Sequence, residues 1–139
     1  IIGNQYSIGY VEFAYALKNN LRVAALQNSE GNFVMPSPET AQAAALGALS
    51  AAPNTPEGDW SQAFDAIIYA PGQDSYPLTS WSFLFFYKTY SSPSKAAAVK
   101  EFIAYINGEG QNHIIQGYVP IPDEIRNINL QALNLISTG

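Results

Sequence analysis

At 139 residues the chain is long enough for one domain with a real core and too short for two of ordinary size. Apolar residues make up 47% of it and charged residues only 12%, which excludes a disordered tail. The formal charge of −5 argues against nucleic acid and anionic membrane surfaces, and the absence of cysteine removes disulfide and thiolate chemistry.

No apolar run approaches the ~20 residues that a membrane-spanning helix needs. The chain opens on Ile1 rather than Met and enters strand-like sequence almost at once, with no signal-peptide pattern ahead of it. That beginning reads as the interior of a longer protein. Residues 8–17, Ile-Gly-Tyr-Val-Glu-Phe-Ala-Tyr-Ala-Leu, are apolar and aromatic, and the front half reads as a buried strand. Asn19 and Asn20 then supply a turn. Glu12, between Val11 and Phe13, is costly to bury without a partner. It either points to the wet face of a strand or is paired at an interface between lobes.

Residues 21–27 and 33–35 flank Asn28-Ser29-Glu30-Gly31-Asn32 and predict a hairpin of two short strands. Ser37-Pro38-Glu39-Thr40 is a helix start, with a capping Ser, Pro at the first position and an acid facing the dipole. The Ala-rich run after it carries the helix to about Ser50. Pro53 and Pro56 mark a loop, Trp60 and Phe64 are expected to cover an edge of the core, and residues 65–70 read as a short strand closed by Pro71-Gly72.

Residues 74–88, Asp-Ser-Tyr-Pro-Leu-Thr-Ser-Trp-Ser-Phe-Leu-Phe-Phe-Tyr-Lys, form the densest aromatic stretch. Apolar side chains fall on both parities from Trp81 to Tyr87, which predicts a central strand covered on both faces. Pro77 to Ser80 form a stiff entrance where the packing environment changes. Ser92-Pro93 starts another helix, with Val99, Phe102, Ile103 and Ile106 on one apolar face. Asn107-Gly108 stops it, and a short helix follows over residues 109–116. Residues 118–122 are held extended by two prolines. A last helix opens at Asp123 and buries Ile125, Ile128, Ala132, Leu135 and Ile136.

Catalytic patterns are missing. His113 is the single histidine, without Cys partners or a His-Glu-x-x-His neighbourhood, so it reads as half-buried structure rather than a zinc ligand. No Gly-x-Ser-x-Gly elbow presents a nucleophile to it, and no phosphate-cradling Gly-rich loop occurs. Arg22 and Arg126 lack the polar, Gly-rich setting that aims a guanidinium at an oxyanion. By its own residues the chain is not an enzyme, and no metal site or cofactor is expected.

Three stretches carry a resemblance. Residues 8–16, with Asn19-Asn20-Leu21 after them, resemble the Ile-Gly-Tyr-Val-Glu-Tyr-Ala-Tyr-Ala … Asn-Asn-Leu segment of the PstS-type phosphate-specific periplasmic binding proteins, the substrate receptors of the phosphate ABC importer. Tyr76-Pro77-Leu78-Thr79-Ser80-Trp81-Ser82-Phe83 is similar to that family's Tyr/Trp-Pro-Ile-Thr-Ser-x-Thr-Phe strand, and residues 117–122 to its Gly-Tyr-x-Pro-Leu-Pro segment. The order of these stretches, Asp59-Trp60-Ser61 and the Pro93 helix start agree with the family, so the resemblance runs along essentially the whole chain.

The resemblance implies an α/β fold of the type II periplasmic binding protein kind, here as a fragment with parts of both lobes. Residues 1–78 would be the remainder of the second lobe and residues 79–139 the C-terminal part of the first, with the crossing near 77–80. It also implies a phosphate ligand in the complete protein, an ABC permease as partner and a periplasmic or extracellular, cell-surface location. The family's phosphate-holding motifs lie upstream of the position matching Ile1, so no phosphate ligand carries over. Glu12 and Tyr15 on the cleft side, and Thr79 and Ser80 at the crossing, are the cleft or hinge candidates; packing and strand-end hydrogen bonds account for them equally well. With half of each sheet missing, either an N-terminal half completes the fold or the chain self-associates. The competing reading is a non-enzymatic assembly module that oligomerises through exposed sheet edges. A phosphatase acting through His113 is a further alternative.

Overall fold

A computed structural model describes residues 3–139; Ile1 and Ile2, at the head of the expected 1–78 portion, lie outside the described residues. The order is α1 (Phe13–Lys18), β1 (Leu26–Gln27), β2 (Phe33–Val34), α2 (Pro38–Gly47), α3 (Ser61–Ile67), β3 (Thr89–Tyr90), α4 (Pro93–Ile106), α5 (Asp123–Leu130), α6 (Ala132–Leu135) and β4 (Ser137–Thr138). Short 3-10 turns sit at Leu49–Ala51 and Glu109–His113. The molecule is thus mixed helix and strand, compatible with the α/β expectation.

Two small cores organise these elements. In the first, Ala44, Ala45 and Ala48 from α2 and its end pack against Ile67 and Ala70, with Ala66 and Trp81 at the margin. The α2 start works as the sequence predicts. The Ser37 hydroxyl accepts from the Thr40 N–H at 3.2 Å, and Thr40 Oγ1 accepts from the Ser37 N–H at 2.9 Å. This reciprocal cap satisfies two donors at the N-terminus, with Pro38 inside it. The small alanines let α3 approach closely. Gly47 sits so near the chain at residues 70–71 that a Cβ would lie 2.4 Å from the Pro71 carbonyl oxygen.

The hairpin is antiparallel, Leu26 opposite Val34 and Gln27 opposite Phe33, as predicted but shorter. Its loop is locked by Asn28, only 1% exposed. Asn28 Oδ1 accepts from the Glu30 and Asn32 N–H groups at 3.1 and 3.0 Å. Its Nδ2 donates to the Gly72 and Gln73 carbonyls at 3.1 and 2.8 Å. Tyr69 Oη donates to the Asn28 carbonyl at 3.1 Å, with Tyr69 itself at φ 60°. A buried side-chain amide with every polar atom partnered is the arrangement that burial demands.

The second core joins Tyr90, Ala96, Ile103 and Ile136, with Val99 and Leu133 beside them. β3 and β4 pair in parallel, Thr89 with Ser137 and Tyr90 with Thr138, so the whole of α4–α6 is the crossover between them. Ser92 caps α4 by accepting from the Lys95 N–H at 3.4 Å. At its far end the buried Asn107 donates to the Ile103 carbonyl at 2.9 Å and accepts from Asn129 Nδ2 at 2.9 Å, tying α4 to α5. Gln111 Oε1 accepts from the Ile121 N–H at 2.8 Å.

Several expectations are corrected. Residues 81–87 are not a central strand: they are irregular, and among the described residues no strand lies beside them. Residues 8–11 are likewise irregular, and the back of that run coils into α1. A strand needs a neighbour to take its N–H and C=O groups, and among the described residues neither run has one. Residues 65–67 belong to α3 rather than to a strand, because the Asp59 carboxylate accepts the Ser61 N–H at 2.9 Å and Ala63 and Ile67 bury one helical face. The expected last helix is broken at Gln131 into α5 and α6, and Ile136 lies just beyond them. The 109–116 helix is a 3-10 turn that ends at His113. Phe102, expected on the buried face of α4, is about half exposed, while Ile103 is buried.

Candidate functional site

Between the two cores lies one large cleft, with a volume of about 1620 Å³. Ala45 and Ile67 line it from the first core, Ile103 and Ile136 from the second. The runs 6–12, 21–24 and 78–88 form much of its wall. Most small-molecule pockets hold about 300–1,000 Å³, so this opening exceeds what a small ligand fills.

Its chemistry is apolar. The charged side chains on the described wall are Glu12, Arg22, Glu57 and Lys88, all exposed, and Lys88 is already paired with Glu57. Gripping a desolvated oxyanion takes converging buried donors or a guanidinium fork. Among the described residues the wall has no such convergence.

Of the four candidates, Glu12, Thr79 and Ser80 line the cleft, and Tyr15 does not. Glu12 is exposed and its carbonyl starts α1 by accepting from the Ala16 N–H at 3.1 Å. Tyr15 is half exposed and its carbonyl accepts from Asn19 Nδ2 at 2.8 Å. The Thr79 hydroxyl donates to the Tyr76 carbonyl at 2.9 Å, and Ser80 is exposed. The entrance before them is held to the first core: the Tyr69 N–H donates to the Pro77 carbonyl at 2.9 Å and the Tyr76 N–H to the Thr40 carbonyl at 3.1 Å. Partial burial raises the Tyr76 phenol above its ordinary value.

His113 is exposed rather than half-buried, and its imidazole lies 3.5 Å from Glu109 one turn back. Arg126 pairs with Asp123 in the first turn of α5. Among the described residues no group of three His, Cys, Asp or Glu comes together to hold a metal. No helix of the described residues is long and apolar enough to cross a membrane.

Sequence reasoning missed the polar brackets at Asn28, Asn107 and Gln111. The local half of the first was legible, since an Asn two residues before a free N–H is an Asx-turn signal. The long-range half, from Asn28 to Gly72 and Gln73, leaves no local trace. The two-residue strands at Thr89–Tyr90 and Ser137–Thr138 were missed too, being set only by each other.

Comparison with known proteins gives one consistent answer. The chain is 36% identical over 137 residues to a phosphate-binding protein PstS of Methanocaldococcus jannaschii, an alignment that takes in 94% of this chain and 35% of that one. The chain is related to the PstS phosphate-binding proteins. It is also 36% identical to PstS of Pasteurella multocida over 125 residues and to PstS of Xylella fastidiosa over 124, covering 87% and 86% of the chain. Those alignments take in 33% and 31% of the two relatives, so the chain spans about a third of the length of the PstS proteins it matches. All three PstS relatives are named as binding proteins, not as enzymes. No family model matches the chain, and no solved structure matches it significantly.

Proposed function

We propose that this chain is the C-terminal portion of the phosphate-binding subunit of an ABC phosphate import system, a receptor that carries phosphate to a membrane permease and catalyses nothing. The observation that carries this reading is 36% identity along 94% of the chain to a protein named for phosphate binding. In this reading the fold is a periplasmic binding protein of the second type. Residues 1–78 complete one lobe, residues 79–139 complete the other, and the receptor works in the periplasm or at the outer cell surface. Glu12, Tyr15, Thr79 and Ser80 serve lobe closure, and the atoms that hold phosphate come from the rest of the polypeptide. A hinge at 77–80 suits the proline-stiffened entrance there.

The test is equilibrium phosphate binding by the complete product of the encoding reading frame. One phosphate bound per chain with a dissociation constant of about 1 μM or tighter is the expected result, roughly 8 kcal/mol of binding free energy. Absence of phosphate binding in that product overturns the reading. The rival reading, an assembly module acting through exposed edges, is favoured by one observation, the uncovered aromatic runs. Light scattering separates the two, since a self-assembling module forms homomers without any other polypeptide.

A further inference from the structure

On either side of the run 79–87, residues 3–78 and residues 88–139 share few polar contacts. Among the described residues only two hydrogen bonds join them, and both involve one loop. Lys88 Nζ donates to the Glu57 carboxylate, and Gln131 Nε2 donates to the Asn54 carbonyl at 3.2 Å. The loop that carries Asn54 and Glu57 runs from the 3-10 turn at Leu49–Ala51 to α3, and it is stiffened from within. Pro53 and Pro56 fix two of its φ angles. The Gly58 N–H donates to the Thr55 carbonyl at 3.1 Å, and Trp60 Nε1 donates to the Pro56 carbonyl at 3.2 Å. Gly58 lies against Pro53, where an added Cβ would come within 2.4 Å of the proline Cβ. A loop ordered in advance loses little freedom when it makes a contact.

The two landing points are fixed as well. Lys88 stands directly before β3, and its carbonyl accepts from the Ser137 N–H at 2.7 Å, at the start of β4. Gln131 sits at the break between α5 and α6, a break that contains neither Pro nor Gly. Pro56, Glu57 and Lys88 all line the cleft, so the contact is made across it.

We infer that the loop 53–58 is a strap over the cleft: through Glu57 to Lys88 and Asn54 to Gln131 it favours the pose in which the two lobes are near, and it releases when they part. This inference rests on the proposed function, because it takes the two portions as parts of lobes that move. The strap is separate from the crossing at 77–80. A hinge permits rotation, whereas a contact made in one pose only shifts the balance toward that pose. An exposed ion pair shifts such a balance by up to about fivefold, so the strap trims the lobe equilibrium rather than locking it.

The experiment uses the complete product of the encoding reading frame with Glu57→Lys, with Lys88→Glu, and with both. One readout is the dissociation constant for inorganic phosphate. The other is the distance between spin labels at Gln62→Cys on α3 and Ala97→Cys on α4, exposed positions in a stretch without cysteine. Each single change is expected to weaken phosphate binding about threefold to fivefold and to lengthen and broaden the label distance, and the double exchange restores both. The shared direction is decisive. A field acting directly on the anion would tighten binding with the added Lys and weaken it with the added Glu. Shifts of opposite sign, a constant or a label distance unmoved by the single changes, tighter binding in both, or an exchange that restores neither readout each overturns the strap. Distances that widen and recover in a product that binds no phosphate support the strap and overturn the phosphate reading instead. Tight phosphate binding with unmoved distances does the reverse.

Discussion

The α2 region and the run 81–87 are both apolar and similar in length, yet one is a finished piece of structure and the other is not. α2 closes most of its own accounts: its backbone bonds are internal, Ser37 and Thr40 cap it, and its alanines need only α3 and Ala70 to cover them. Residues 83–87 hold larger side chains, each able to bury more area, and still lie exposed at the cleft, while only Trp81 of this run packs on the first core. Apolar content therefore does not decide what is folded here. Whether the backbone's partners are local or distant decides it. The second core repeats the lesson, since α4 and its caps are local while β3 exists only because β4 returns to it.

The largest test of that contrast sets a core residue against a run residue in the chain alone. Ile67→Ala or Ile103→Ala, each removing a buried side chain, costs about 2–5 kcal/mol by denaturant unfolding. Phe85→Ala changes stability by no more than about 0.5 kcal/mol in the same assay, and equal losses at the two kinds of site erase the distinction.

Next comes the contact between the two ends of the chain. Gly117 has φ 96°, and a Cβ there would lie 2.6 Å from Ala14 Cα. Gly117→Ala forces a strained backbone and a shift against α1, with an expected loss of about 1–3 kcal/mol. A neutral result separates α1 from the 117–122 segment. Asn28→Ala leaves the Gly72 and Gln73 carbonyls and two loop N–H groups without their partner, for a further loss of about 1–3 kcal/mol, read as faster exchange in residues 28–34 and 69–75.

The smallest effect is in pH. The Ser61 hydroxyl and N–H lower the Asp59 carboxyl below the ordinary carboxylate range. Its folded value is depressed, so its stabilising contribution is present above the unfolded value and is lost as pH falls through the folded one. Asp59→Asn flattens that acid-side dependence slightly, measured as unfolding midpoint against pH. An unchanged slope removes Asp59 from the start of α3.

Much of the helical fold was legible because its signals are near in sequence. Ser37-Pro38 and Ser92-Pro93 start α2 and α4 as predicted, and Asn28 to Asn32 turns the hairpin. Residues 65–70 misled because Ile67, Ile68 and Tyr69 favour strands, while the i, i+4 pair Ala63 and Ile67 that marks α3 is short. Residues 8–11 and 81–87 read as buried strands because their composition suits a sheet that the described residues do not build. The large opening was not legible, since its walls come from segments scattered from Asn4 to Ile136.

Isothermal calorimetry of phosphate into the 139-residue chain alone tests most directly whether this portion is scaffold without grip. The account predicts no heat of binding at micromolar phosphate. A saturable one-to-one isotherm from this chain by itself would contradict it.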